Sequence, residues 1–185
     1  SFDPDAGEVY LNDVPLAGIS LDSLRTSVQR VSPDLPLLRG TVAENVGYGA
    51  PDIDAAWIGD VIDACGLRDP SPALPDGLDT RVEERGANLS DGLCAQIALA
   101  RACAISPRLL LVDHPIFDAD STASRSLERV LEIASFTSLI VTTLRAPAET
   151  EVRVLELAGG SLRPAQPVNA QGPYPRAVPE SGRLD

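Results

Sequence analysis

The chain has 185 residues, 44% of them apolar, and a formal net charge of −12. That length is enough for one domain with a real core, and the acidic balance excludes a surface built to neutralise nucleic-acid phosphates. All fifteen basic residues are arginine, so no lysine-bearing phosphate loop, Schiff-base lysine or lysine general base lies within these residues.

Taken in chain order, residues 1–12 read as a loop and then a strand, with a turn at Gly7 and Val9 and Leu11 alternating with Glu8, Tyr10 and Asn12. Ser20 caps a short helix over 19–28, whose Leu21, Leu24 and Val28 share a face, and 28–32 is a strand. From 41 to 105 the chain reads as mostly helical. Within it, 54–65 carries Trp57, Ile58, Val61, Ile62 and Cys65 at helical spacing and stops at Gly66, which makes Trp57 a packing residue. Residues 70–80 are a turn-rich connection. Ser90 is an N-cap, and Asp91 falls in the first turn, where the helix dipole favours an anion. Ile97, Ala98, Leu99, Ala102 and Cys103 then form one apolar face.

The run 109–112 is four apolar residues ending in Asp113, the pattern of a strand buried on both faces of a parallel sheet. Ligands of open α/β sheets bind at the carboxyl ends of such strands, so Asp113 is a candidate metal ligand. A helix over 121–133 places Leu127, Val130 and Leu131 on one face, and 136–143 is a second buried strand. Residues 152–157 alternate, and Gly159 and Gly160 turn the chain toward Leu162 as a hairpin. From 163 to 185 proline and small polar residues dominate, as in a disordered tail. Cys65, Cys94 and Cys103 have no metal or redox spacing and read as reduced, partly buried thiols. No apolar run approaches the ~18 residues of a membrane helix, so any membrane anchorage is expected from another segment or chain.

Five stretches together resemble the nucleotide-binding domain of ABC transporters. LSDGL followed by ALARA resembles the LSGGQ signature helix, and LLLVD resembles the Walker B strand. FDPDAGEVYLND resembles the family's FYDPDSGEVLIDG, VSPDLPLLRGTVAENVGYG resembles VPQDxxLFxGTIxENI, and TRVEERG resembles the TxVGExG loop of exporters, which touches their transmembrane part. The resemblance implies an α/β fold over 1–162, a P-loop NTPase-like ABC ATPase core with an α-helical subdomain over about 41–105. It places the phosphate-cradling Walker A segment before Ser1, so the core is expected to be incomplete in this chain, with sheet edges and apolar surface left open. Cofactors would be ATP and Mg2+. The partners would be a second nucleotide-binding domain, identical or different, and a transmembrane domain, fused or separate, at the cytoplasmic face of the membrane.

The same resemblance assigns residues. Ser90 and Gly92 would grip the terminal phosphate of ATP held on the partner, Asp113 would hold the metal through water, and Asp120 would communicate across the pair. Pro33 occupies the position of a Gln that senses metal and phosphate, and proline has neither an N–H nor an amide side chain. His114 stands where the catalytic glutamate is expected, either as an inert replacement or as a substitute base. Thr143 stands where a phosphate-contacting His is expected, and a hydroxyl carries no positive charge. Asp91 replaces a glycine and Leu93 a glutamine. A carboxylate ~5 Å from a triphosphate is repelled by on the order of 3 kcal/mol per unit charge at an effective dielectric constant near 20. That exceeds the roughly 0.3–1 kcal/mol by which Asp91 steadies the helix start. The expected function is therefore the ATP-binding domain of an exporter with an impaired hydrolytic site of its own. The alternative is an interaction or regulatory module that kept the fold and lost nucleotide use.

Overall fold

A computed structural model of the chain describes residues 4–32, 36–50, 54–113, 122–135, 137–141 and 155–164. Near its start, Asn12 and Asp13 take positive φ of 48° and 62°. They form a two-residue turn between β1 (Tyr10–Leu11) and the antiparallel β2 (Val14–Pro15). Such a turn needs left-handed backbone at both central positions, which Asn and Asp tolerate better than most residues. The strand expected to run through Asn12 therefore ends at Leu11.

Helix α1 (Leu21–Ser27) starts where expected, with the Ser20 hydroxyl accepting from the Ser23 N–H at 3.2 Å. Its apolar face is only partly used: Leu24 and Val28 are half-buried, but Leu21 is 68% exposed. Strand β3 (Val28–Val31) follows directly. After β4 (Gly40–Thr41), α2 (Val42–Val46) opens with a capping box. The Thr41 hydroxyl accepts from the Glu44 N–H at 3.1 Å, and the Glu44 carboxylate accepts from the Thr41 N–H at 2.7 Å. Helix α3 (Ala55–Ala64) is capped by Asp54, whose carboxylate accepts from the Ala56 N–H at 2.9 Å. It ends before Gly66, whose φ of 66° is the left-handed stop expected there.

The segment expected to be mostly helical also contains a short ladder, because β5 (Arg81–Val82) pairs antiparallel with β4. Then come α4 (Asp91–Ala104), β6 (Leu109–Asp113), α5 (Thr122–Ile133) and β7 (Thr137–Val141). A final hairpin pairs β8 (Leu155–Ala158) with β9 (Ser161–Pro164) through Gly159 and Gly160, both at positive φ.

Strands β3, β6 and β7 form a parallel sheet with β6 in the middle, Val31 opposite Val112 and Asp113 opposite Val141. Helix α4 packs against β3, α2, α3 and α5. In consequence it buries Leu93, Ala95, Gln96, Ile97, Leu99, Ala100 and the turn from Ala102 to Ala104, nearly its whole circumference rather than one face. Alanines at 95, 100, 102 and 104 let the neighbouring elements approach closely. Ile97 and Leu99 are fully buried among Val31, Leu110 and Val112 of the sheet, Val61 of α3 and Val130 of α5. Truncating either to alanine removes about 2–5 kcal/mol of stability at such sites.

Trp57 packs against this core, and its indole N–H donates to the Cys103 carbonyl at 2.9 Å. The three thiols are free, with Cys65 and Cys103 buried. Val9, Tyr10, Val14, Leu21, Leu155, Leu157 and Leu162 are exposed. Among the described residues no helix is long and apolar enough to cross a membrane. The tail expected over 163–185 lies outside the described residues from 165 onward.

Candidate functional site

The approach to α4 is a loop whose backbone is held by one side chain. Asn88 accepts from the Glu83 N–H and donates to the Arg81 carbonyl, both at 2.8 Å. The loop turns through Arg85 and Gly86 at φ of 62° and 76°. Gly86 is required there: an added Cβ would lie 2.6 Å from the Cys94 sulfur and 3.3 Å from Leu37. The turn delivers Ser90 to the helix start in an extended conformation, its hydroxyl oxygen accepting from the Leu93 N–H at 3.3 Å. Since the oxygen is the acceptor in that cap, the exposed hydroxyl keeps its own proton to donate outward.

Asp91 is exposed in the first turn, and nothing lies within 4 Å of the position a Cβ would take at Gly92. Ser90, Asp91 and Gly92 thus stand together at one open, electropositive helix end, two donors suited to a phosphate oxygen with a carboxylate between them. The geometry fits an anionic ligand at Ser90 and Gly92, and the charge of Asp91 opposes it.

Asp113 ends the central strand of the parallel sheet, the position from which open α/β sheets address ligands. Among the described residues no three His, Cys, Asp or Glu side chains gather as a metal cage. Mg2+ is commonly held by one or two carboxylates plus water and substrate phosphates rather than by such a cage. Pro33, His114, Asp120 and Thr143 lie outside the described residues.

Residues not singled out by sequence connect α4 to the rest of the fold. The buried Gln96 amide donates to the Cys65 carbonyl at 2.8 Å and to the Ser126 hydroxyl at 3.0 Å, joining α4 to α3 and α5. Asn45, 1% exposed, accepts from the Leu38 N–H at 2.8 Å and donates to the carbonyls of Leu38 at 2.8 Å and Thr41 at 2.9 Å. Arg101, in the last turn of α4, donates to Asn45 at 3.0 Å and to the Pro36 carbonyl at 3.3 Å. Burial lowers the pKa of its guanidinium, although no described residue supplies a partner for its buried Nε. Beside it opens a cavity of about 430 Å³ also lined by Arg25, Gln29, Arg30 and Tyr48. The sequence signal was present in outline, a single charged residue inside the apolar run IALARACAI.

Residues 1–117 match the family described as ABC transporter. An ATP-dependent lipid A-core flippase of Ralstonia nicotianae is 33% identical over 166 residues, which cover 87% of this chain and 28% of the flippase. A multidrug efflux ATP-binding/permease protein of Mycobacterium bovis is 35% identical over 163 residues, covering 87% of this chain and 14% of that protein. Among solved structures, a bacterial Atm1-family ABC exporter with ATP bound superposes with a TM-score of 0.67 at 28% identity, covering 76% of this chain and 25% of the exporter. The chain therefore spans only 14% to 28% of the length of these relatives.

Proposed function

Since the chain belongs to the ABC transporter family and corresponds to its exporter-type nucleotide-binding domain, we propose that it binds ATP with Mg2+ and uses closure of a nucleotide-sandwiching pair to drive export. In this reading it pairs with a second nucleotide-binding domain, identical or different, and moves a transmembrane domain, fused or separate, at the cytoplasmic face of the membrane. The observation that carries the proposal is the exposed, donor-competent Ser90 hydroxyl beside the open Gly92 at the start of α4.

Ser90 donates its hydroxyl proton, and Gly92 its N–H, to the terminal phosphate oxygens of nucleotide held by the partner domain. Asp113 would hold Mg2+, and Asp120 would carry the closed state across the pair. Bound ATP with its metal would supply the phosphate oxygens that Ser90 and Gly92 hold and the phosphoryl group open to hydrolysis. Turnover at this chain's own site is slow. Pro33 brings no amide to sense the metal, Thr143 brings no positive charge, and His114 stands in for the glutamate as an inert replacement. Loss of a general base typically costs ~10²–10⁴-fold in rate.

The test is a fluorescent-ATP titration of the complete protein, with steady-state phosphate release measured on the same sample. Saturable, Mg2+-dependent binding with little release is expected. No binding would leave an interaction module that kept the fold without nucleotide use. Release abolished by His114→Ala would make His114 the base.

A further inference from the structure

The two hydrogen bonds of Asn88 fall on the outer edge of β5. Val42 donates its N–H to the Thr80 carbonyl at 3.1 Å, and Gly40 lies opposite Val82, so the backbone groups of 80 and 82 face β4. Alternation along the strand turns the Arg81 carbonyl and the Glu83 N–H the other way. The Asn88 amide meets both at 2.8 Å, accepting from Glu83 and donating to Arg81, as the peptide group of a neighbouring strand would. Arg85 and Gly86, at φ of 62° and 76°, reverse the chain so that it returns beside this edge.

The fit needs an amide. Asn carries a donor and an acceptor side by side, and its short side chain imitates backbone in turns. Aspartate would keep the bond from Glu83 but set an acceptor against the Arg81 carbonyl, and alanine would supply neither partner. Arg81, Glu83 and Asn88 are all exposed, so without the Asn88 amide the two backbone groups turn to water at small cost to the fold as a whole. The change is local to the approach to α4. Gly86 is buried against Leu37 and Cys94, but Ala87 and Asn88 beyond it are exposed and Leu89 is only half-buried.

We propose that Asn88 is a positioning residue for Ser90: by fixing the chain to the edge of β5 two residues upstream, it presets the place and direction of the Ser90 hydroxyl. Two residues span at most about 7 Å, so an anchor at 88 leaves Ser90 little freedom. Ordering that is complete before the phosphate arrives is not lost from binding. The proposal rests on the nucleotide reading for that consequence, whereas the bonds of Asn88 exist without ligand.

Amide hydrogen exchange of the complete protein, without nucleotide, tests the positioning. The readouts are Glu83, whose N–H is held by Asn88, and Leu93, whose N–H is held by the Ser90 hydroxyl oxygen. Asn88→Ala should speed exchange at Glu83 roughly 2–10-fold, the size of one ordinary hydrogen bond. It should speed exchange at Leu93 severalfold, with α5 amides unchanged as the control for intact folding. Faster exchange at Glu83 alone, or at neither, would overturn the proposal. Should Asn88→Ala loosen every element, Asn88→Asp, which keeps the bond from Glu83, takes its place with the same readouts, and general loosening there too refutes a positioning role. A second arm follows ATP-dependent pairing with the partner nucleotide-binding domain. The ATP concentration for half-maximal pairing should rise about tenfold in Asn88→Ala, the size of the two lost hydrogen bonds, and hardly at all in a Ser90→Ala background. A merely structural role would add the same factor in both backgrounds, and that result, or no rise at all, would sink the idea. If the unaltered protein pairs regardless of ATP, or Ser90→Ala leaves pairing as it was, the nucleotide reading fails, and exchange at Leu93 alone decides whether Asn88 sets Ser90.

Discussion

Replacing Gly86 by alanine probes the joint between the 36–38 segment and the start of α4. At φ of 76° the residue sits in the left-handed region, which costs an L-residue roughly 1–2 kcal/mol. The new Cβ would also fall 2.6 Å from the Cys94 sulfur and 3.3 Å from Leu37, so side chains or backbone must shift. Overpacking of this kind costs typically ~1–3 kcal/mol. The expected total is about 2–5 kcal/mol, read as a lower urea midpoint at unchanged slope. The two contributions separate in a double-mutant cycle with Cys94→Ala, which removes the sulfur. The double variant should recover about 1–2 kcal/mol of the overpacking loss while the backbone cost remains. A Gly86→Ala protein within about 0.5 kcal/mol of the parent, the ordinary range for a surface change, would refute the geometry assigned to this loop. A cycle with no coupling would refute the contact.

Native labelling with a disulfide reagent near pH 8 should modify Cys94 slowly and leave Cys65 and Cys103 untouched, whereas three thiols react after unfolding. Burial pushes Cys65 up to about 12 and Cys103 well above its ordinary value, while burial and the nearby Asp91 raise half-buried Cys94. Since the folded pKa values exceed the ordinary 9.0 of the unfolded chain, the associated stability is complete below pH 9 and lost as pH climbs from 9 toward 12. A urea midpoint flat between pH 8 and 11 would contradict this. Trp57→Phe removes the bond to Cys103 while keeping most of the ring, and should lower stability by about 1 kcal/mol in chemical denaturation.

Local chemistry was the legible part of this chain. Ser20 and Ser90 cap helices because a short side-chain oxygen next to an apolar period has one good use, and Gly66 and the Gly159–Gly160 pair take the positive φ their positions require. The run ending in Asp113 is the central strand of a parallel sheet, as its unbroken apolar character implied. What stayed hidden depends on partners far away in sequence. The burial of α4 on nearly every side is set by four neighbouring elements rather than by its own period. The β4–β5 ladder is two residues long, too short for alternation to register. Asn45 and Arg101 lie 56 positions apart, and nothing in either neighbourhood announces the pair. For Ser90, Asp91 and Gly92, the motif named the residues and the structure sets them together at the start of α4, with Ser90 and Asp91 exposed and open space beside Gly92.

The most direct measurement of the account is nucleotide-dependent pairing, followed by light scattering or cross-linking of the complete protein with its partner nucleotide-binding domain. Pairing should require ATP and Mg2+, fall with Ser90→Ala, and strengthen with Asp91→Gly as a repulsion of order 3 kcal/mol per unit charge is relieved. Pairing that ignores nucleotide, or that survives Ser90→Ala unchanged, would contradict the claim that this helix end grips a phosphate.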